Sequence, residues 1–233
     1  MSEGRIKNFT RKNENIEISG NNISVRSQRP TATLVMLSGG IDSVYVLAKI
    51  LKETDDIVIA HHIHMVNGEG RFKVEAQSCI KIVDWCRKNY REFGYSETAI
   101  DHRGLFSMGY DMIAVAYEAG IINRAFEGKY GRSLDRWVCG WCAEEKPMPG
   151  RAPHTIAMCA ASSHPAEPPE LFHLPVISKA DQIRYLPDAL LDLCWTCRRP
   201  IWNEDGSFDE CGECITCELM KDVRQELAIA PEL

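Results

Sequence analysis

The segment Leu37 to Ser43, which reads L-S-G-G-I-D-S, has the residue types of an anion-binding loop. Two adjacent glycines let the backbone adopt conformations that bring amide N–H groups close to an anion. A helix that starts after the loop would add free N–H groups and the positive end of its dipole. Asp42 repels phosphate unless a cation lies between them. The segment therefore predicts a phosphate site that uses magnesium.

Two common nucleotide-binding motifs are absent from this segment. It lacks the G-x-x-x-x-G-K-[ST] pattern of the Walker loop, and it lacks the G-x-G-x-x-G pattern of dinucleotide-binding domains. An ordinary glycine-rich turn between a strand and a helix is the alternative reading. The two serines and the aspartate favour the phosphate site.

The second group of residues with chemical potential is a cysteine cluster near the C-terminus. Five of the ten cysteines lie between Cys194 and Cys217. In a reducing compartment such a cluster indicates a metal site before it indicates disulfides. Two C-x-x-C units share one cysteine, and a fourth cysteine lies upstream, which fits a tetrahedral zinc site; the predicted ligands are Cys197, Cys211, Cys214 and Cys217. We interpret Cys194 as a small buried residue.

Several other residues remain open. Cys139-Gly140-Trp141-Cys142 could be a redox pair, part of a second metal site or a structural pair. His61, His62 and His64 lie near a predicted strand end, with His62 and His64 on one face and His61 on the other, and they could be ligands or scaffold. The segment 101–103 (D-H-R) follows a strand-like stretch and could face a nucleotide.

The elements around the glycine loop predict how these residues are positioned. Residues 33–37 and 57–64 are short apolar runs typical of buried parallel strands. Residues 42–53 and 73–90 have the apolar spacing of amphipathic helices. This alternation predicts an α/β fold, a Rossmann-like doubly wound parallel sheet with a small C-terminal zinc-binding element.

Later elements are less clear in the sequence. We predict helices at 112–125 and 154–162, a strand at 174–177, and a helix over 180–193 that is interrupted at Pro187. Residues 127–153 are read as a loop or insertion. The predicted organisation is a polar N-terminal tail or edge hairpin (1–30), an α/β domain (31–190) with an insertion at about 95–150, and a C-terminal element (191–233).

Composition excludes few classes of function. The chain has 233 residues and a net charge of −6, so no strongly basic face for nucleic acid is indicated. No apolar run approaches the ~18 residues of a membrane span, and residues 1–30 lack the apolar stretch of a secretory signal. We expect a cytoplasmic protein with no membrane partner and no direct nucleic-acid binding.

The S-G-G-I-D-S segment matches the S-G-G-x-D-S signature of the PP-loop ATP pyrophosphatases, a resemblance that implies cleavage of ATP between its α- and β-phosphates. With the C-terminal W-T-C and C-G-E-C-I-T-C segments, the chain resembles the 7-cyano-7-deazaguanine synthase family. Three further segments resemble that family: G-R-F-K-V-E at 70–75, P-G-R at 149–151 and S-K-A-D at 178–181. Residues 95–147 and the segment after the P-G-R helix depart from its pattern.

The resemblance implies synthesis of 7-cyano-7-deazaguanine from 7-carboxy-7-deazaguanine and ammonia, with ATP, Mg²⁺ and Zn²⁺, in queuosine or related deazapurine modification. It implies an ATP site at Leu37, Ser38, Gly39, Gly40, Ile41, Asp42 and Ser43. Asp42, Arg71, Arg151 and Lys179 are the candidate catalytic residues. A PP-loop tRNA-thiolation enzyme with an iron–sulfur cluster, an amide-forming variant, a non-catalytic nucleotide sensor and a homodimer stay open.

Overall fold

The computed structural model describes residues 14–19, 22–27, 29–105, 111–145 and 150–229. Strands β1 (Glu14–Ser19) and β2 (Asn22–Ser27) pair antiparallel and form a two-stranded sheet of their own. The hairpin that was one reading of residues 1–30 is present as this separate antiparallel pair, which, among the described residues, does not lie at the edge of a larger sheet. Residues 1–13 lie outside the described residues.

A five-stranded parallel sheet forms the centre of the fold. Its strands in chain order are β3 (Ala32–Met36), β4 (Ile57–Val66), β5 (Gly94–Asp101), β6 (Arg136–Val138) and β7 (Glu170–Leu171). Their order across the sheet is β5-β4-β3-β6-β7, which is the order 3-2-1-4-5 counted within this sheet. The direction of winding reverses between β3 and β6, so the crevice for ligands is expected at the carboxyl ends of these two strands.

Seven helices are present in the described part of the chain. They are α1 (Ile41–Glu53), α2 (Phe72–Asn89), α3 (Met112–Tyr130), α4 (Arg151–Ser163), α5 (Lys179–Tyr185), α6 (Asp188–Leu191) and α7 (Ile215–Ile229). None of the helices within the described ranges is long and apolar enough to cross a bilayer. A short antiparallel pair, β8 (Ile201–Trp202) with β9 (Phe208–Asp209), completes the C-terminal element.

Two hydrophobic cores lie on the two faces of the sheet. Alternation along β3 sends Val35 to the core beneath α1 and α2, and sends Leu34 and Met36 to the core beneath α3 and α4. All three side chains are buried. Because helices cover both faces, the predicted doubly wound α/β fold is confirmed, and the predicted strands and helices up to residue 90 are found within two residues of their expected bounds.

The predicted insertion at about 95–150 is an integral part of the central domain, because this segment supplies two of its strands and one of its helices. Most of β5, all of α3 and all of β6 lie in it. Strand β6 was not predicted, because it has only three residues and its first residue is charged. Arg136 is tolerated there because its guanidinium pairs with Asp56 at 2.6 Å and lies 4.1 Å from the centre of the Phe172 ring.

The predicted strand at 174–177 was also wrong. The last strand, β7, ends at Leu171, and residues 172–178 form no regular structure. Leu174 and Ile177 are apolar because they pack against the core beneath α1, and not because they join the sheet. The prediction for 180–193 is confirmed, since α5 ends at Tyr185 and Pro187 precedes α6.

Candidate functional site

A cleft of about 1340 Å³ opens at the carboxyl ends of the central strands. The predicted site residues from distant parts of the chain meet in it. Its lining includes Ser38, Asp42, Arg71, Arg151 and Lys179. The fold therefore brings the glycine loop and all three predicted cations to one crevice, at the position where doubly wound sheets bind ligands.

The glycine loop is held tightly against α2. Gly39 has a φ of +79°, and a Cβ at that position would lie 3.2 Å from the carbonyl oxygen of Glu75 and 3.3 Å from Cys79 Sγ. Gly40 then takes the N-cap position of α1. Because the first N–H groups of a helix have no partner within it, the backbone after Gly40 presents free donors to the cleft.

The two serines shape the loop from inside. The Ser43 hydroxyl donates to the carbonyl of Gly40 at 3.0 Å and accepts from the backbone N–H of Ser38 at 3.1 Å. The hydroxyl oxygens of Ser38 and Ser43 lie 3.1 Å apart. Two members of the predicted site, Leu37 and Ile41, have structural roles. The Leu37 carbonyl accepts a hydrogen bond from His62 Nδ1, and the Ile41 side chain is buried in the core.

Asp42 forms an ion pair with Lys179 across the cleft. The Lys179 Nζ lies 2.5 Å from Asp42 Oδ2, and the lysine side chain is only 6% exposed. Its backbone N–H donates to both carboxylate oxygens of Glu144, at 3.0 and 3.1 Å. The other oxygen of Asp42, Oδ1, is buried and has no hydrogen-bond partner among the described residues. Asp42 therefore retains an oxygen that could bind a cation.

The C-G-W-C segment lies directly on the glycine loop. A Cβ on Gly140 would lie 2.3 Å from the backbone carbon of Asp42 and 2.4 Å from the backbone nitrogen of Ser43. One ligand atom from each of Asp42, Cys142 and Glu145 falls within 4.8 Å of the others. Burial raises the pKa of both Cys139 and Cys142 to about 12, so both thiols are protonated at neutral pH.

Arg71 is surrounded by carboxylates. It contacts Glu69 at 2.9 Å, Glu75 at 3.3 Å and Asp111 at 3.3 Å. Burial alone would lower the pKa of Arg71, but the three carboxylates raise it, and the guanidinium stays charged. Burial also raises the pKa of Glu75, although Arg71 opposes this change. Arg71 is therefore held in place by these carboxylates, which also neutralise its positive charge.

Arg151, the first residue of α4, is the third predicted cation that lines the cleft. Its guanidinium lies 3.9 Å from the centre of the Trp141 ring and 3.5 Å from Glu145. Arg71, Arg151 and Lys179 thus all face carboxylates across the cleft. A polyanion such as ATP would have to displace a carboxylate from its cation or bring a metal ion with it.

Two of the three histidines of β4, His61 and His62, are buried and contribute to the lining of the cleft. His61 is held between Ser96 Oγ at 2.8 Å and Thr98 Oγ1 at 2.9 Å. His62 Nδ1 lies 3.0 Å from the Leu37 carbonyl, which can only accept, so Nδ1 carries the proton. Burial lowers the pKa of both rings to about 4, and both are neutral at pH 7. The rings of His62 and His64 contact each other on one face of the sheet, as predicted.

The predicted D-H-R segment lies at the mouth of the cleft. His102 and Arg103 contribute to the lining. Arg103 pairs with Asp101 at 2.6 Å, and its hydrogen bonds lower the pKa of Asp101 to about 2. Both side chains of the pair are more than half exposed. Asp101 is thus engaged by its neighbour on the surface and does not reach the glycine loop.

The four predicted cysteine ligands come together beside the cleft. The Sγ atom of Cys211 lies 3.5 Å from that of Cys197 and 3.9 Å from that of Cys217, and the Sγ atom of Cys214 lies 4.0 and 3.4 Å from the same two. Thiolates bound to a tetrahedral ion at about 2.3 Å would be about 3.8 Å apart. The cluster could hold a metal ion such as zinc. Cys194 is not part of it, because its Sγ donates to the Leu190 carbonyl at 3.4 Å.

Sequence reasoning did not assign a role in the site to several residues, among them Glu69, Gly140, Glu144, Glu145 and Trp195. Each of them lies close to a residue that is distant in the sequence. Glu144, for example, accepts a hydrogen bond from the backbone N–H of Lys179. Gly140 and Trp195 carried a local signal, because they lie in the C-G-W-C and W-T-C segments that had already been noted.

Comparison with known proteins adds no family assignment. No protein-family model matches this chain. No curated protein matches it. What the structure establishes is a doubly wound α/β fold of order 3-2-1-4-5, with a four-cysteine cluster that could bind a metal beside a cleft at the switch point.

Proposed function

We propose that this protein is an ATP-dependent enzyme that cleaves ATP between its α- and β-phosphates and transfers AMP to a carboxylate. The main support for the proposal is that the S-G-G-I-D-S loop and the side chains of Arg71, Arg151 and Lys179 line one cleft at the switch point. Free backbone N–H groups and fixed cations are the groups that stabilise a leaving pyrophosphate.

The substrate proposed is 7-carboxy-7-deazaguanine, with ammonia as the nitrogen source, and the support for it is the sequence resemblance. In a first stage a carboxylate oxygen attacks the α-phosphorus and pyrophosphate leaves. Ammonia then attacks the carbonyl carbon, AMP leaves with the carboxylate oxygen, and a proton is released to give the amide. A second ATP adenylates the amide oxygen and pyrophosphate leaves; loss of AMP and of both amide protons then gives the nitrile.

The contacts of Lys179 suggest how the site accepts a nucleotide. In the structure Lys179 neutralises Asp42, and Oδ1 of Asp42 remains without a partner among the described residues. Asp42, with Glu145 close by, would hold a magnesium ion that enters with ATP, and such an ion neutralises phosphate charge. Lys179 would then be free to bond a phosphate oxygen, held in place by the bond from its backbone to Glu144.

The two arginines complete the proposed roles. Arg71 is fixed by three carboxylates and would act as an immobile positive charge near the phosphates. Arg151 has a longer contact with Glu145 and stacks on Trp141, so its charge can turn toward the substrate carboxylate or the developing charge on the α-phosphate. Ser38, Gly39, Gly40 and Ser43 would shape the pyrophosphate site.

We further propose that the four-cysteine cluster holds one zinc ion. Four thiolates leave no open position on the ion for water, so this metal would stabilise the C-terminal element and take no part in the chemistry. An iron–sulfur cluster would use the same four ligands. Metal content of protein purified without air separates the two, because only iron would give a coloured protein.

The experiment that tests the function is incubation with ATP, magnesium, ammonia and 7-carboxy-7-deazaguanine, followed by mass spectrometry of the base. The proposal expects the nitrile, formed by the wild type and not by Asp42→Asn. Accumulation of the amide would mean that the reaction stops after its first stage. Turnover on a tRNA and not on this base would favour the thiolation enzyme, and bound ATP with no turnover would favour a nucleotide sensor.

A further inference from the structure

The four-cysteine cluster is linked to the glycine loop by a direct hydrogen bond. The backbone N–H of Trp195 donates to the carbonyl of Gly39 at 2.9 Å. The indole N–H of the same residue donates to the carbonyl of Cys197, a predicted metal ligand, at 2.8 Å. Trp195 therefore joins a ligand of the metal centre to a glycine whose positive φ sets the shape of the loop.

A chain of ion pairs makes a second link. Arg198 follows a metal ligand directly, and its backbone N–H donates to Cys214 Sγ at 3.4 Å. Its guanidinium contacts Glu69 through Nε at 2.9 Å and through Nη2 at 2.8 Å. Glu69 in turn contacts Arg71 at 2.9 Å. Three contacts thus connect a thiolate of the cluster to a cation of the cleft.

Both links start within two residues of Cys197, whose position would be fixed by metal binding. Cys197 and Cys214 are buried, and they come from separate segments that are joined by the cysteine cluster, by Trp195 and by the β8–β9 pair. Without a metal, the four thiols would no longer hold Cys197 against the other three cysteines, and contacts such as the β8–β9 pair and the Trp195–Phe208 contact would be left to join these segments. Loss of the metal would therefore loosen the partners of Gly39 and of Arg71 together.

We infer that metal binding at the four cysteines and nucleotide binding in the cleft are thermodynamically coupled, through Trp195 to Gly39 and through Arg198 and Glu69 to Arg71. This inference rests on the proposed function, because it requires that the glycine loop binds a nucleotide. Coupling is reciprocal, so the factor by which the metal raises nucleotide affinity must equal the factor by which the nucleotide raises metal affinity.

The test uses the full chain loaded with zinc and titrated with a chelator of known affinity. The dissociation constant for zinc is measured with and without saturating magnesium and α,β-methylene-ATP, an analogue that cannot be cleaved at the proposed bond. We expect the analogue to tighten zinc binding about fivefold or more, within the usual range of coupling between sites. The affinity for the analogue should weaken by the same factor when zinc is removed.

A matched pair of variants separates coupling from general stabilisation by a bound ligand. Arg198→Gln removes the link to Glu69, whereas Arg224→Gln removes an ion pair with Glu210, 3.2 Å long, in the same C-terminal element. We expect the coupling factor to fall at least twofold in Arg198→Gln and to stay at the wild-type value in Arg224→Gln. Circular dichroism confirms that both variants are folded.

Each other outcome overturns the inference or the part of it that concerns Arg198. Equal zinc affinities with and without analogue, when equilibrium dialysis shows the analogue bound, would refute the coupling and leave the proposed function intact. Absence of any bound analogue would refute both. A coupling factor that is the same in Arg198→Gln as in the wild type would show that the ion-pair chain carries none of it.

Discussion

Replacement of Gly140 with alanine is the sharpest steric test of the cleft. The added Cβ would lie 2.3 Å from the backbone carbon of Asp42 and 2.4 Å from the backbone nitrogen of Ser43. Ordinary contact begins near 3.4 Å, so the two backbones must separate by about 1 Å. Both neighbours are backbone atoms of the first turn of α1, and they cannot rotate away as a side chain could.

A displacement of about 1 Å at a site of chemistry can lower the rate about 100-fold, which is about 2.7 kcal/mol of transition-state free energy. Overpacking of this kind also lowers the free energy of unfolding by about 1–3 kcal/mol. We therefore expect Gly140→Ala to lose about 100-fold in kcat/KM for pyrophosphate release while it remains folded at 25 °C.

Two other glycine substitutions provide the controls. In Gly128→Ala the new methyl group meets nothing within 4 Å on α3, and activity should be unchanged. In Gly120→Ala the new Cβ would lie 2.6 Å from the Cys159 carbonyl oxygen, far from the loop, so stability should fall without a selective effect on KM for ATP. Activity of Gly140→Ala within threefold of the wild type would refute the claim that this segment positions Asp42.

Three further predictions concern the charge, the metal and the pH dependence. Asp42→Asn should lower pyrophosphate release about 100-fold or more with the fold retained, measured by a coupled phosphate assay and circular dichroism; equal activity would remove Asp42 from the mechanism. Cys214→Ser should lose the bound metal and unfold at lower temperature, whereas Cys194→Ser should keep one metal per chain by elemental analysis. Because burial lowers the pKa of His61 and His62 to about 4 from an ordinary 6.5, the unfolded chain binds more protons between these values. The free energy of unfolding should therefore fall as the pH drops from about 6.5 to 4, by up to about 3 kcal/mol per histidine, and urea titration of His61→Gln should show a shallower fall.

The parts of the fold that were predicted are those with strong local signals. The strand before Ser38 and the helix after Gly40 have clear apolar spacing, and the glycine pair marks the turn between them. The clustering of the four cysteines was predicted from spacing, because C-x-x-C units restrict where the sulfurs can lie. The choice of Lys179 as a site residue followed only from the resemblance, and its pairing with Asp42, 137 residues away in the chain, was not predicted.

The parts that were missed depend on contacts between distant segments. Strand β6 is short and begins with Arg136, whose charge is matched by Asp56 from another part of the chain. The roles of Glu69 and Trp195 arise because the C-terminal element packs against the cleft, and no local pattern indicates this. Apolar spacing at Leu174 indicated burial correctly but could not show that the sheet had already ended.

Transfer of an oxygen isotope from the substrate to AMP tests whether the loop from Ser38 to Ser43 supports adenylation of a carboxylate. The substrate carboxylate is labelled with a heavy oxygen isotope at both positions, and the nucleotide products are separated and weighed. The account predicts that ATP is converted to AMP and pyrophosphate, and that each AMP carries one heavy oxygen taken from the substrate. Formation of ADP, or of AMP without the label, would contradict it.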